Sequence, residues 1–383
     1  MADRRILIVS HTGNYPLDVG GPQAVSYHVS LYLAKEGFEV TLYQRFKSTT
    51  HQEAWASTPE ASLLSQAGVN TLSLIADYSL KNLWRYPLYI YRASRRLDGA
   101  NYDIIHYNSP PVDANVLLPH KYVKKCAQTV AIHGGLFYES KNIVGRRIFR
   151  STVKHMRVAI ALNSFSKRIA LDQGFPQERM VTIPNGVDTS TVDSIQPKTL
   201  AGNPSIVYAG RLEAVKGVET LVAAAHTLKN KLPHFRLYIA GSGSMENYLR
   251  NQARLLSPHI TFLGRLPTAR DVIGLFKGAN LVVIPSIKEN FSISLLEAMA
   301  SGTPIIASDA EGNMDVVSHQ NAWIFKRGST QSLTQTILEA AADVENSKRK
   351  ALQARLEVEQ KYEWSKIIRK YVELFEKLLE AQT

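Results

Sequence analysis

The chain alternates short apolar runs with longer segments whose apolar residues recur at helical spacing. In the first half, β-branched and aliphatic runs predict buried strands at residues 4–10, 39–44, 71–75, 103–107, 128–133, 158–163 and 180–184. The segments between them predict amphipathic helices, and one of these, QAVSYHVSLYLAKEG, ends on Gly37, which suits a helix C-cap. Strict alternation of strand and helix predicts a parallel sheet covered by helices on both faces.

The same rhythm restarts after a break at residues 187–205. This break is rich in Ser, Thr, Asp, Gly and Pro and lacks helical periodicity, so we interpret it as an interdomain linker. Beyond it, apolar runs predict a second series of strands at residues 205–210, 236–241, 260–264, 280–285, 304–308 and 322–325.

The pattern therefore predicts an α/β protein built from two tandem, Rossmann-like, doubly wound domains. We place them at residues 1–190 and 191–361. No strand pattern follows residue 328, and an amphipathic helix is predicted over the last segment, 362–383, which could return to the first domain.

Composition and charge narrow the function classes. A chain of 383 residues exceeds what one hydrophobic core usually fills, in agreement with two domains. The single cysteine, Cys126, excludes an internal disulfide framework and a thiolate metal cluster. The N-terminal residues lack the apolar region of a signal peptide, and no apolar run approaches the roughly 20 residues of a membrane span, so we expect a soluble, cytoplasmic protein. The net charge of +12 favours anionic partners, namely nucleic acid, phosphorylated metabolites or an acidic membrane surface.

Open parallel sheets bind ligands beyond the carboxyl ends of their strands, so the loops at these ends are the first places to examine. After the first strand, Gly20 and Gly21 precede a helix and leave backbone amides free to approach an anion. In AGSGSME, Gly241 and Gly243 are followed by Glu246 where a dinucleotide fingerprint has its third glycine. The chain also lacks GxxxxGK[ST], so the nicotinamide and P-loop interpretations are both disfavoured.

Two cations follow the first strand of the second series. Arg211 and Lys216 lie five residues apart in YAGRLEAVKG, where both could converge on one diphosphate. The alternative is a pair of solvated surface charges.

Two glutamates lie eight positions apart in IPSIKENFSISLLEAMASGTP, residues 284–304. Glu289 precedes a helix predicted to start near Ser292 and to stop at Gly302. Glu297 lies inside that helix, roughly 8 Å along its axis from the start. A carboxylate there could hold a ribose diol while Glu289 accepts hydrogen bonds from a sugar, so the spacing fits a nucleotide sugar. Alternatively, Glu297 is a half-buried structural acid beside the apolar stripe of the helix.

The assembled motifs resemble the retaining glycosyltransferases of family four. The resemblance covers nearly the whole chain and rests on the Gly20–Gly21 loop, AIHGG (131–135), IPNGVD (183–188), GRLEAVKG (210–217), FLGRL (262–266), and E-x7-E followed by LEAMASGTPIIAS. It implies the GT-B architecture, in which two Rossmann-like domains face a central cleft.

The resemblance implies a role for each matching position. Glu297 would bind the ribose diol, Glu289 and the adjacent amides would hold the transferred sugar, and the two cations would neutralise the leaving diphosphate. Gly21 would approach the diphosphate, His133 would lie by the anomeric centre and the acceptor, and Leu266 would border the base. Asn290 and Ser292 stand where the family commonly has glycine, which leaves the hexose undefined. The candidate catalytic residues are thus His133, Arg211, Lys216 and Glu289. The candidate substrate-binding residues are Gly20, Gly21, Gly241, Gly243, Leu266, Asn290, Phe291, Ser292, Ile293 and Glu297.

We expect no metal and no cofactor. A departing nucleoside diphosphate needs a divalent cation or fixed positive charges, and the chain has neither a D-x-D pair nor a His/Cys cluster with ligand spacing. Fixed cations and the helix end would then stabilise the leaving group. The resemblance implies transfer with retention, with His133 as a positioning group; a structural histidine at the end of a strand is the alternative.

The acceptor side is less defined. Residues 81–97 and 141–157 are basic and acid-free, and 81–97 also carries interleaved aromatic residues, which would suit an anionic membrane surface on the cytoplasmic side and a lipid-linked glycan. Ordinary solvated helix faces are the alternative, and no nucleic-acid partner is expected.

Three classes of function remain. We favour a hexosyltransferase of cell-surface polysaccharide or glycolipid synthesis. The family resemblance alone suggests UDP-glucose as the first guess for the donor. Another GT-B enzyme, a sugar-nucleotide epimerase or a phosphorylase, is the second class. A non-catalytic basic adaptor for membrane or nucleic acid is the third.

Overall fold

The computed structural model describes residues 4–10, 14, 15, 17, 21–75, 102–108, 126–133 and 155–382. It consists of two compact units. The first comprises Met1–Asn185 together with Trp364–Thr383, and the second comprises Gly186–Glu363.

The strands of the described ranges are, in chain order, β1 (Arg5–Ser10), β2 (Glu39–Phe46), β3 (Asn70–Ile75), β4 (Ile104–Tyr107), β5 (Ala127–Ile132), β6 (Val158–Ala161), β7 (Met180–Thr182), β8 (Ser205–Ala209), β9 (Arg236–Ala240), β10 (Ile260–Gly264), β11 (Leu281–Ile284), β12 (Ile305–Ser308) and β13 (Trp323–Phe325). Each of the predicted strands is therefore present, with no bound shifted by more than two residues.

The α-helices of the same ranges are α1 (Gly21–Lys35), α2 (Thr49–Ala56), α3 (Pro59–Gln66), α4 (Ser164–Asp172), α5 (Thr189–Ser194), α6 (Val218–Lys231), α7 (Glu246–Gln252), α8 (Ala269–Lys277), α9 (Ile293–Ala300), α10 (Glu311–Met314), α11 (Thr330–Ala342), α12 (Val344–Lys361) and α13 (Trp364–Glu380). Short 3-10 turns add Gln177–Arg179, Ala214–Lys216 and Arg254–Leu256. None of these helices is both long and apolar enough to span a bilayer.

The first unit contains a seven-stranded parallel sheet with the order β3-β2-β1-β4-β5-β6-β7. The central strands are continuous apolar runs because both faces are covered; Ile6, Leu7 and Ile8 of β1 are fully buried. The C-terminal helix α13 packs against α1, where the Trp364 ring stacks on His28 with 4.9 Å between ring centroids.

The second unit contains a six-stranded parallel sheet with the order β10-β9-β8-β11-β12-β13. Its core is formed by apolar residues of the inner strands and of α6 and α11, including Leu221, Ile239 and Ile337. In each sheet the order reverses beside the first strand, between β1 and β4 in one and between β8 and β11 in the other. Loops that leave two such adjacent strands diverge and form the usual crevice for a ligand.

One sequence prediction is wrong in part. The break at 187–205 was expected to contain no helix, but α5 lies within it, because the Asp188 side chain accepts a hydrogen bond from the Thr191 amide at 2.9 Å and caps a short helix. A helix of six residues is too short to show a recognisable apolar periodicity in the sequence.

Candidate active site

The helix α9 begins at the carboxyl edge of the second sheet, after the loop that follows β11. Its N-cap is Ser292, whose hydroxyl accepts a hydrogen bond from the Leu295 amide at 3.2 Å. Gly302, with φ of 68°, follows its C-terminal end, so the predicted bounds of this helix are confirmed. The amides of a first helical turn lack intrahelical partners and carry the positive end of the macrodipole, so this position suits an anionic or hydroxyl-rich ligand.

Glu289 and Lys216 form an ion pair beside this helix start. The distance from Lys216 Nζ to Glu289 Oε2 is 2.6 Å, and the Ser286 hydroxyl donates to the same oxygen at 3.1 Å. The side chains are only 19% and 10% exposed for Lys216 and Glu289, so water screens their attraction weakly. The structure thus brings together two sequence-predicted site residues that are 73 positions apart.

The 3-10 turn that carries Lys216 is fixed to the loop after β11. The amides of Ile287 and Lys288 both donate to the Val215 carbonyl, at 2.9 and 3.2 Å. Gly217 ends the turn with φ of 63°, and a Cβ at this position would lie 2.1 Å from the Pro285 carbonyl oxygen. Only glycine allows this close approach, which sets the lysine opposite the glutamate.

Glu297 lies in the second turn of α9 and is half-buried. Burial raises the pKa of its carboxyl from 4.5 to about 8. A carboxyl held partly out of water among apolar neighbours is a candidate ligand-binding group, because strongly perturbed pKa values are frequent at functional sites. Its contact with a ribose diol stays a prediction.

Arg211 follows β8, next to the switch point, and is exposed. Its carbonyl accepts a hydrogen bond from the buried Tyr208 hydroxyl at 2.8 Å, and burial raises the pKa of that hydroxyl. Tyr208 was not predicted as a site residue, since a tyrosine in an apolar run predicts only core. In the structure it fixes the backbone of the loop that presents the arginine.

Gly241 and Gly243 pack against this same loop. A Cβ on Gly241 would lie 1.8 Å from the Gly210 carbonyl oxygen, and one on Gly243 would lie 2.4 Å from the Leu212 carbonyl oxygen. The Leu212 amide also donates to the Ser242 carbonyl at 2.9 Å. Both glycines therefore have a packing role beneath Arg211, and direct contact with substrate stays a prediction for them.

The remaining candidates of the second unit lie at the start of α9 and in the loop after β10. Phe291 is 8% exposed, and its ring packs edge-on against Tyr362 with 6.0 Å between centroids. Its side chain thus serves the core, which leaves its backbone for a ligand. Leu266, Asn290 and Ile293 are half-buried.

In the first unit, His133 directly follows β5. Its Nε2 lies 2.7 Å from Asn108 Oδ1, and burial lowers the pKa of its imidazole from 6.5 to about 3. The Asn108 amide nitrogen in turn donates to the Pro22 carbonyl and the Ser26 hydroxyl, both at 2.8 Å. His133 is therefore linked to the first turn of α1, which begins at Gly21.

Several predicted features lie outside the described residues. These are Gly20, the basic segment 81–97 and the basic segment 141–157 except for its last three residues. Within the ranges that the structure does describe, no three His, Cys, Asp or Glu side chains are grouped as metal ligands. Independence from metal stays a prediction.

Two units of parallel sheet and helix, the second with the ion pair of Lys216 and Glu289 beside its switch point, match the GT-B fold of glycosyltransferases. The chain belongs to the family-four glycosyltransferases. Residues 19–191 match Glycosyltransferase Family 4, and residues 192–356 match Glycosyl transferases group 1. The family resemblance and the fold class inferred from the sequence are confirmed.

Among curated proteins, the chain is 26% identical over 304 residues to an uncharacterised glycosyltransferase of Methanocaldococcus jannaschii. The aligned region covers 73% of this chain and 76% of the relative. It is 30% identical over 203 residues to a phosphatidyl-myo-inositol mannosyltransferase of Mycobacterium leprae. This alignment covers 51% of this chain and 53% of that protein.

Solved structures share the fold at low identity. HepE of Anabaena, in complex with UDP and glucose, superposes with a TM-score of 0.79 at 18% identity over 98% of this chain and 100% of that one. The sucrose-phosphate synthase of Thermosynechococcus elongatus gives a TM-score of 0.80 at 20% identity, with 99% and 100% covered.

Proposed function

We propose that this glycosyltransferase transfers a hexose from a nucleotide sugar to a saccharide or lipid-linked saccharide, with retention at the anomeric carbon and without a metal ion. The observation that carries the proposal is the half-buried pair of Lys216 and Glu289 at the N-terminus of α9, where the switch point of the second sheet lies. This arrangement offers positive charge and hydroxyl acceptors within one crevice.

The pair suits both halves of an activated sugar. Lysine has three N–H donors and Lys216 uses one of them on Glu289, so the others can reach a diphosphate oxygen. The second oxygen of Glu289 can accept from sugar hydroxyls. The carboxylate would thus bind the sugar while the ammonium that neutralises it binds the leaving group.

Leaving-group stabilisation would come from Lys216, from the exposed Arg211 and from the amides at the start of α9. The bond between the anomeric carbon and the phosphate oxygen breaks, and the acceptor oxygen forms the new bond on the same face. The departing phosphate takes the acceptor's proton, so the step needs no protein nucleophile.

Named relatives guide the choice of the first donor. HepE was solved with UDP and glucose, and with UDP-glucose, which supports UDP-glucose as the first donor to test. The M. leprae relative is named a mannosyltransferase with a lipid acceptor, which supports mannose donors and lipid-linked acceptors as the next choice. An anionic membrane surface is proposed from the basic segments of the sequence alone.

A thermal-shift screen of UDP-, GDP- and ADP-sugars in EDTA tests the function without knowledge of the acceptor. We expect at least one nucleotide sugar to raise the melting temperature. In a separate turnover assay, we expect release of the nucleoside diphosphate only when an acceptor is supplied. Conversion of the nucleotide sugar into an isomer would identify an epimerase. No response to any nucleotide sugar would favour the adaptor and refute the proposal.

A further inference from the structure

Asn108 joins three parts of the first unit at the carboxyl edge of its sheet. It follows β4 directly, is 1% exposed, and its own amide donates to the Val9 carbonyl of β1 at 3.1 Å. Its side chain contacts the first two turns of α1 and the histidine after β5. This asparagine was not predicted as a site residue from the sequence.

The orientation of the Asn108 amide follows from its partners. The Pro22 carbonyl can only accept, so the group 2.8 Å from it must be the NH₂ and not the oxygen. The Ser26 hydroxyl donates its hydrogen to the same carbonyl at 3.1 Å, and therefore accepts from Asn108 at 2.8 Å. Both amide hydrogens are thus used on α1. A flipped amide would set two acceptor oxygens against each other.

With the amide fixed, its oxygen faces His133. Asn108 Oδ1 can only accept, so the His133 Nε2 that lies 2.7 Å away must carry hydrogen. Burial lowers the pKa of His133 to about 3, so the ring is neutral near pH 7. A neutral imidazole has a single N–H, and the other nitrogen, Nδ1, is then a lone-pair acceptor.

We propose that Asn108 is a positioning residue that holds His133 as the Nε2–H tautomer, so that Nδ1 accepts a hydrogen bond from a substrate hydroxyl. This inference rests on the proposed function for its ligand, but the tautomer itself does not. A lone pair attracts a hydroxyl hydrogen and repels a phosphate oxygen. His133 therefore contacts a sugar or acceptor hydroxyl and neither protonates nor neutralises the leaving diphosphate.

The tautomer is measured in the free protein by ¹⁵N-histidine NMR near pH 7, with the His133 signals assigned from a His133→Gln spectrum. We expect Nε2 in the protonated range of shifts and Nδ1 in the unprotonated range. Asn108→Ala should produce a mixture of tautomers. Ser26→Ala is the matched control, since it keeps the bond to Pro22 and should keep the wild-type tautomer. A hydrogen on Nδ1 of the wild-type protein would overturn the proposal, whether or not the variants fold.

The ligand is tested with the nucleotide sugar selected by the thermal-shift screen, its free nucleoside diphosphate, and the diphosphate together with a methyl glycoside as a model acceptor. An upfield shift of Nδ1 with the nucleotide sugar alone assigns the contact to the transferred sugar. The same shift only with the methyl glycoside assigns it to the acceptor. If no probe moves Nδ1 although the nucleotide sugar binds, the proposal is overturned. If no nucleotide sugar binds, the proposed function fails while the tautomer result stands.

Discussion

Replacement of Glu297 by glutamine should change how the stability of the protein depends on pH. In the unfolded chain this carboxyl ionises near its ordinary value of 4.5, whereas burial in α9 raises its folded-state pKa to about 8. Between these values, unfolding releases a proton, so the free energy of unfolding falls by about 1.4 kcal/mol for each unit that the pH rises. The contribution is fully present below about pH 4.5 and is lost by about pH 8.

Integrated over this window, the loss amounts to roughly 4 to 5 kcal/mol for the wild-type protein. Glutamine has nearly the same shape and does not ionise, so Glu297→Gln removes this slope. We expect the two proteins to differ by about 1 kcal/mol or less at low pH, and the variant to be the more stable by several kcal/mol near pH 8.

Urea denaturation followed by circular dichroism, in buffers from about pH 5 to pH 8.5, provides the measurement. Because wild type and variant are compared at the same pH, titration of other groups cancels. Glu345→Gln is a matched control, since that side chain is 88% exposed and its replacement should leave the slope unchanged. A difference between wild type and Glu297→Gln that stays constant across the range would refute the reasoning.

Two further predictions concern the same unit and are measured by urea denaturation. Lys216→Met leaves the Glu289 carboxylate without its cation and should lower the free energy of unfolding by about 2 to 4 kcal/mol. The double variant with Glu289→Gln should recover part of that loss, because it also removes the unpaired charge. Additive losses would show that the pair is not coupled. Gly241→Ala forces a Cβ onto the Gly210 carbonyl and should lower the free energy of unfolding by more than about 3 kcal/mol. Gly302 has open space around it, so Gly302→Ala should cost only the roughly 1 to 2 kcal/mol of placing a side chain on a left-handed backbone. Equal losses in these two alanine variants would contradict the packing described beneath Arg211.

Local signals predicted much of the fold. Helix α9 was predictable because Ser292 can cap it and Gly302 and Pro304 stop it, all within the segment itself. The strands were predictable because each is a short apolar run between turn residues. The short helix α5 was missed because a single capped turn leaves too little periodic pattern.

The details of the site depend on which strands are neighbours, and the sequence does not encode this locally. Lys216 and Glu289 meet because β8 and β11 pair in the sheet. The contact of Tyr208 with the Arg211 carbonyl and the linkage of Asn108 to His133 likewise join groups whose approach is set by packing. The raised pKa of Glu297 follows from its burial, which requires the tertiary structure.

The central claim is that the second unit binds an activated sugar through its carboxylates and fixed cations, without a divalent ion. Calorimetric titration of the nucleotide sugar into wild-type protein and Glu297→Gln, both in EDTA, tests it most directly. We predict that, at about pH 8.5, where the Glu297 carboxyl is largely ionised, the wild type binds in EDTA and the variant binds about 10- to 100-fold more weakly, as expected for loss of hydrogen bonds to a charged group. Binding by the wild type that requires a divalent ion, or equal affinity in the two proteins, would contradict the account.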